Sequence, residues 1–175
     1  MDLFEAIGKR YSFRGPFTGV PVPREDLQKI VQAGIQAPSG KNEQVVSFVI
    51  VDDPELLRRI AEVVQRPACN TARAMIACVT DPRPVFEGFS FAAEDCAASV
   101  QNMLLAITAL GYASVWLDGV LRINNVAARV GELLGVPPDK TVRILLPIGL
   151  PAEPGVQKEK LPFGKRAWFN RYGGA

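Results

Sequence analysis

The sequence predicts an α+β domain, and three observations carry that prediction. Apolar, β-branched runs of strand length at residues 45–51, 74–79, 113–117 and 142–148 are spread among stretches with helical spacing. No GxGxxG follows a strand and no Walker loop is present, so the parallel nucleotide-binding folds have no fingerprint here. An apolar share of 48% in 175 residues is enough for one domain with a real core.

Residues 2–9 read as a short helix with Leu3, Phe4 and Ile7 on one face. After Pro21-Val22-Pro23, residues 24–37 carry Leu27, Ile30, Val31, Gly34 and Ile35 at amphipathic spacing, and Pro38 ends the helix. Strand 45–51 follows a turn-rich loop. Asp52-Asp53-Pro54 then caps a helix of about a dozen residues, with Leu56, Leu57, Ile60 and Val63 or Val64 inward. Residues 67–70 read as a break before a buried strand at 74–79. The longest helix, 91–110, is apolar around much of its circumference, which places it in the core or, preferably, in a subunit interface. Gly111 stops it, strand 113–117 runs into Asp118-Gly119, helix 121–134 ends at Gly135, and strand 142–148 follows.

Composition excludes several classes of function. The net charge of +2 gives no broad basic surface for nucleic acid. Cys69, Cys78 and Cys96 are an odd number without CxxC spacing, as expected of small buried residues in a reducing compartment. The N-terminus, Met1-Asp2-Leu3-Phe4-Glu5, lacks the basic then apolar pattern of an export signal, and the most apolar run, 103–110, is far shorter than the ~20 residues that cross a bilayer. A cytoplasmic protein is the expectation. Histidine is absent, which removes Ser-His-Asp and Cys-His catalysis, HExxH zinc sites and the two-His-one-carboxylate iron site. No metal site is expected, and an enzyme of this composition leaves its chemistry to a bound cofactor.

The pentad Arg10-Tyr11-Ser12-Phe13-Arg14 carries the clearest chemistry. Alternate residues of an extended segment share a face, so Arg10, Ser12 and Arg14 converge on one anion, and two guanidinium forks around a hydroxyl suit phosphate. The same pentad also reads as a solvated basic turn. The loop at 37–44 offers backbone amides with the Ser39 and Asn42 side chains, or is a plain helix-to-strand turn. Asn70 and Arg73 stand at a strand end, where they meet a ligand or cap a loop. The tail from about residue 151 interleaves Lys158, Lys160, Lys165, Arg166 and Arg171 with Trp168, Phe169 and Tyr172. It suits single-stranded nucleic acid or an arm packed on a partner subunit.

Four segments together resemble the nitroreductase family of FMN-dependent oxidoreductases over nearly the whole chain. They are the Arg-x-Ser-x-Arg pentad, the Ala-Pro-Ser-x-x-Asn-x-Gln run at 37–44, and the long helix with Gln101-Asn102 that exits through Gly111-Tyr112-Ala113-Ser114-Val115-Trp116. The fourth is the tail, with Gly149-Leu150-Pro151 and Lys158-Glu159-Lys160-Leu161-Pro162. Two departures stand out: Val45-Val46 replace the Pro-Trp often found in the family, and Lys160 stands where an arginine is usual, which weakens bidentate phosphate binding.

The resemblance implies one nitroreductase-like domain over 1–175, of three layers, with a central, mostly antiparallel sheet flanked by helices. It further implies a domain-swapped homodimer with the tail wrapped around the partner. By the same resemblance Arg10, Ser12, Arg14, Lys158 and Lys160 hold the phosphate and ribityl chain of FMN. Pro38, Ser39, Gly40 and Asn42 reach the flavin from the second subunit. Leu117, Asp118 and Gly119 sit at the ring edge, with the Gly119 amide toward N5, and Asn70 and Arg73 meet the pyrimidine side. The implied activity is ping-pong transfer of two electrons from NADH or NADPH through flavin N5 to a nitroaromatic, quinone or similar acceptor. A flavin-binding protein without turnover, and a family enzyme that dehydrogenates, dehalogenates or fragments flavin, stay open beside it. So does a single-stranded nucleic-acid binder.

Overall fold

The computed structural model describes residues 1–174. Four antiparallel strands form one sheet in the order β1-β2-β4-β3: β1 Val46–Val51, β2 Ala74–Thr80, β3 Ala113–Ser114 and β4 Thr141–Gly149. Helices α1 Leu3–Lys9, α2 Arg24–Ile35 and α5 Ala92–Ala109 lie on one side; α3 Pro54–Val64, α4 Pro67–Thr71 and α6 Val126–Leu134 lie on the other. This is the α+β, three-layer architecture expected from the sequence.

The strand period of two builds both cores. In β2, Met75, Ala77 and Val79 pack with Leu57 and Ile60 of α3 and Val130 of α6, while Ala74, Ile76 and Cys78 pack with Ile30 of α2 and Val100 and Met103 of α5. Every residue of β2 is buried, as a central strand covered on both faces must be. At its N-terminus α3 is fixed as expected, with Asp53 accepting from the Leu56 amide at 2.8 Å and Pro54 in the first turn.

Three boundaries differ from the sequence reading. Residues 67–70 form the start of α4 rather than a break, because Pro67 occupies the first helical turn, where its missing N–H costs nothing. The expected strand 113–117 is formally only β3. In the register set by Ala113–Gly149 and Ser114–Ile148, Val115 stands opposite Pro147, which has no N–H to donate, and pairing resumes at Leu117–Leu145. The helix expected from 121 begins at Val126, because Asn124 and Asn125 have φ of 50° and 55°, which no helix accommodates. Helix α5 packs on α1, α2 and the sheet within its own chain, as a core helix does. Exposed apolar side chains include Leu3, Phe4 and Ile7 of α1, Ile35 of α2, Ile50 of β1, Phe86 and Phe89, and several on the tail.

The pentad adds itself to the open edge of β3. Ser12 pairs with Ser114 in parallel, and the Phe13 amide donates to the Ser114 carbonyl at 2.8 Å. Farther on, Phe17 pairs with Pro151, the Thr18 amide donates to Leu150, and the Ala152 amide donates to Pro16. Gly149 makes this seat possible, since a Cβ there would lie 2.8 Å from Cβ of Phe17. Gly149→Ala is therefore expected to destabilise the fold by about 1–3 kcal/mol through overpacking, read as a lower midpoint in chemical unfolding.

Candidate functional site

Pleating on the β3 edge sorts the pentad as the alternation requires. Phe13 is buried against Phe17, with ring centroids 5.1 Å apart, and Tyr11 is half-buried beside Phe13. Ser12 and Arg14 consequently face solvent, with Arg10 half-buried. The tail closes on the same place. Gln157 donates to the carbonyl of Arg10 at 2.7 Å and to that of Ile7 at 3.1 Å, and Gly155 lies so close to Tyr11 that a Cβ would meet the ring at 2.2 Å. Lys158 directly follows Gln157, and Lys160 is two residues further on. The structure thus gathers Arg10, Ser12, Arg14 and the segment bearing Lys158 and Lys160 at one sheet edge.

These cations are not balanced by acids. Among the described residues Arg10, Arg14, Lys158 and Lys160 form no salt bridge, whereas Arg24 pairs with Asp52, Arg58 with Glu55 and Glu62, and Arg83 with Glu43 and Asp81. Adjacent cations without acid partners repel one another, and an anion relieves that repulsion.

Arg73, with Thr71, is tied to the segment that follows the pentad. The Phe17 amide donates to Oγ1 of Thr71 at 2.9 Å, and Nε of Arg73 donates to the Thr18 carbonyl at 3.0 Å. Both Asn70 and Arg73 line a cleft of about 950 Å³ with Gly19, Gln65 and Arg58. No pentad residue lines that cleft.

Leu117, Asp118 and Gly119 continue the β3 line. Leu117 exchanges two backbone bonds with Leu145, at 3.1 and 3.0 Å. The Asp118 carboxylate is already engaged: it accepts from Nε and Nη2 of Arg122, both at 2.6 Å, and from Nη1 of Arg143. Hydrogen bonding from Arg122, with the charges of both arginines, holds its carboxyl below the usual carboxylate range.

The loop with Pro38, Ser39, Gly40 and Asn42 is held elsewhere, on the N-terminal end of α5. Gly40 donates to Oδ1 of buried Asp95 at 2.9 Å, and a Cβ on Gly40 would strike the Phe91 ring at 2.3 Å. Lys41, Asn42 and Gln44 all have positive φ, so the loop is strained and over-determined by these contacts. Oδ2 of Asp95 has no partner among the described residues and lies beside a pocket of about 380 Å³ lined by Ser39, Gln44 and Ser99. Within one chain, the structure does not join this loop to the pentad by any hydrogen bond among the described residues.

Sequence reasoning missed Asp95, Arg122, Arg143 and Gln157. Arg122 stands four residues after Asp118, a spacing that could have been noticed. The other three act on residues distant in sequence, and no local pattern marks them. Among the described residues there is no cluster of three or more metal-ligating side chains, and no helix is long and apolar enough to cross a membrane.

The lowered pKa of Asp118 has a definite sign. Its ion pairs stabilise the fold fully above the unfolded carboxyl pKa of about 3.9, and that stability is lost as pH falls through the lower folded value. Asp118→Asn is expected to cost about 1 kcal/mol at pH 7 and to lose most of that difference from wild type as the medium becomes strongly acidic. Urea unfolding of both proteins at neutral and acidic pH reads this directly.

Comparison with known proteins bears on the same segments. The model of the nitroreductase family matches residues 7–75 and 66–150, which takes in the pentad, the 37–44 loop and the 117–119 turn and stops before the tail. A protein of Archaeoglobus fulgidus with the provisional name NADH dehydrogenase/NAD(P)H nitroreductase is 34% identical over 131 residues, 74% of each chain. An FMN-dependent nitroreductase of Clostridium difficile superposes with a TM-score of 0.82 at 26% identity, covering 97% of this chain and 99% of that one. The NADPH:FMN oxidoreductase of Vibrio harveyi, solved with NAD+, superposes with a TM-score of 0.83 at 31% identity, covering 97% of this chain and 77% of the other. With its sheet, its Arg-x-Ser-x-Arg pentad and its 37–44 loop all inside the matched residues, this chain belongs to the nitroreductase family.

Proposed function

We propose that the chain binds FMN and, as a homodimer, passes two electrons from NADH or NADPH to a nitroaromatic, quinone or similar acceptor. The observation that carries this reading is the group of cations without acid partners on the β3 edge. Ser12 and Arg14 are exposed with Arg10 half-buried beside them, and Gln157, which precedes Lys158, is bonded to the Arg10 carbonyl. That donor set matches a phosphate monoester dianion, which accepts several charge-assisted bonds at once. The names of the two superposed relatives, an FMN-dependent nitroreductase and an NADPH:FMN oxidoreductase, support the same cofactor.

When bound, FMN takes two electrons from the nicotinamide and gives them to the second substrate, so the two substrates react in turn at one centre. The chain's own residues bind and orient. Arg10, Ser12, Arg14, Lys158 and Lys160 neutralise the phosphate and hold the ribityl chain. Leu117, Asp118 and Gly119 line the ring edge, where the Gly119 amide is a donor, and Asn70 and Arg73 serve the pyrimidine side. The positive charge of Arg73 favours the charge that reduction places there. Pro38, Ser39, Gly40 and Asn42 act on the flavin of the other subunit, consistent with a loop anchored away from its own pentad.

A partner subunit also accounts for the apolar surface. Phe4 of α1 is 82% exposed and Tyr172 of the tail 91%, and neither burial is available within one chain. The tail from about residue 151 wraps the second copy in this reading.

Comparing FMN with riboflavin tests the phosphate role. Wild-type protein is expected to bind FMN much more tightly, and Arg10→Ala or Arg14→Ala to weaken FMN binding by about 10–100-fold, the loss of one charge-assisted contact, while riboflavin binding changes little. Fluorescence titration measures both. Equal affinity of the wild type for FMN and riboflavin would contradict the assignment.

A further inference from the structure

We infer that Arg143 is a positioning residue for the turn at 117–119, and that the ion cluster it completes holds net positive charge at the flavin ring edge and favours the reduced cofactor. The inference deepens the proposed function and rests on that reading.

The sheet is irregular at this residue. In a regular strand, residues 142 and 144 share a face. Here Val142 packs with the α3 and α6 side and Ile144 with the α2 and α5 side. The pairing jumps from Cys78–Ile144 to Val79–Val142, so Arg143 has no partner on β2. It is the extra residue of a β-bulge, a device that re-aims one side chain. The re-aimed guanidinium meets Oδ1 of Asp118 at 2.5 Å, the same oxygen that accepts Nε of Arg122.

One carboxylate therefore faces two guanidinium groups, and the cluster keeps one net positive charge. The two arginines do not count equally. The side chain of Arg122 is 56% exposed and that of Arg143 26%, so water and salt screen the first far more than the second. Leu117 is bonded through its backbone to Leu145, two residues from Arg143, so the turn and the arginine ride on the same strand. A fixed cation beside a ring that gains negative charge on reduction stabilises the reduced state, and the more so where solvent is displaced.

The test is the two-electron midpoint potential of FMN-loaded wild type, Arg143→Met, Arg143→Lys, Asp118→Asn and the Arg143→Met/Asp118→Asn double variant, each equilibrated with a reference dye. Arg143→Met is expected to lower the reduced-to-oxidised ratio at fixed potential about tenfold, equal to ~30 mV for a two-electron couple. Asp118→Asn, which leaves both cations in place, is expected to raise it by a similar factor; Arg143→Lys and the double variant should stay close to wild type. A purely structural role moves thermal stability in every variant without this alternation of sign. An unchanged potential in Arg143→Met, or shifts of the same sign in both charge-removing single variants, overturns the inference while FMN binding by wild type leaves the cofactor reading standing. Failure of wild type to take up FMN overturns both.

Discussion

One short contact, the Phe13 amide on the Ser114 carbonyl, fixes the chemistry of this molecule. It seats the pentad as an extra strand on β3, and pleating then decides the rest. With Phe13 buried against Phe17 and Tyr11 packed beside it, the residues between them have to turn outward. Ser12 and Arg14 are thereby exposed together, with Nη1 of Arg14 donating to the Ser12 carbonyl at 3.4 Å, and Arg10 half-buried beside them. Burial of the aromatic residues orders the polar ones, at no cost in desolvated charge. The tail uses the same seat: the bonds from Gln157 to Arg10 and Ile7 bring in further cations only because the pentad backbone is already fixed.

Strand β4 serves both ends of the candidate site through two departures from regularity. At Pro147 the lost N–H opens the ladder to β3 and limits that strand to two residues, after which the chain rejoins the register at Leu117. At Arg143 an extra residue turns a cation toward Asp118. Between these points the ladder to β2 is continuous and buried, so the irregular sites rest on a rigid frame. The 38–42 loop has a separate support, where Asp95 and Phe91 at the start of α5 impose positive φ on residues that would otherwise avoid it. A site divided between two such supports suits assembly from two copies of the chain.

Much of this was legible in the sequence because it is local. The cap and proline at Asp53-Pro54, the period-two burial of the strands and the alternation of the pentad all follow from residues within one element. Arg10, Ser12 and Arg14 were readable for that reason. What escaped depends on partners far along the chain. The short β3 is set by Pro147, more than thirty residues later, and the aim of Arg143 is set by a pairing shift opposite Cys78 and Val79. Asp95 looks like any acidic residue in the first turn of a helix until Gly40 is placed against it. The late start of α6 was signalled weakly by Asn124-Asn125, since asparagine tolerates the left-handed region without requiring it. The family resemblance supplied roles for the 117–119 turn and the 38–42 loop that local patterning did not.

The central claim is that a flavin bound at this edge carries the electrons, and the visible spectrum of the purified protein under anaerobic conditions tests it most directly. The account predicts the absorption bands of oxidised flavin, either as isolated or after adding FMN, and their bleaching on addition of NADH or NADPH. Bands that persist with both nicotinamides would contradict turnover and leave a flavin-binding protein. A colourless protein that takes up no FMN would contradict the account as a whole.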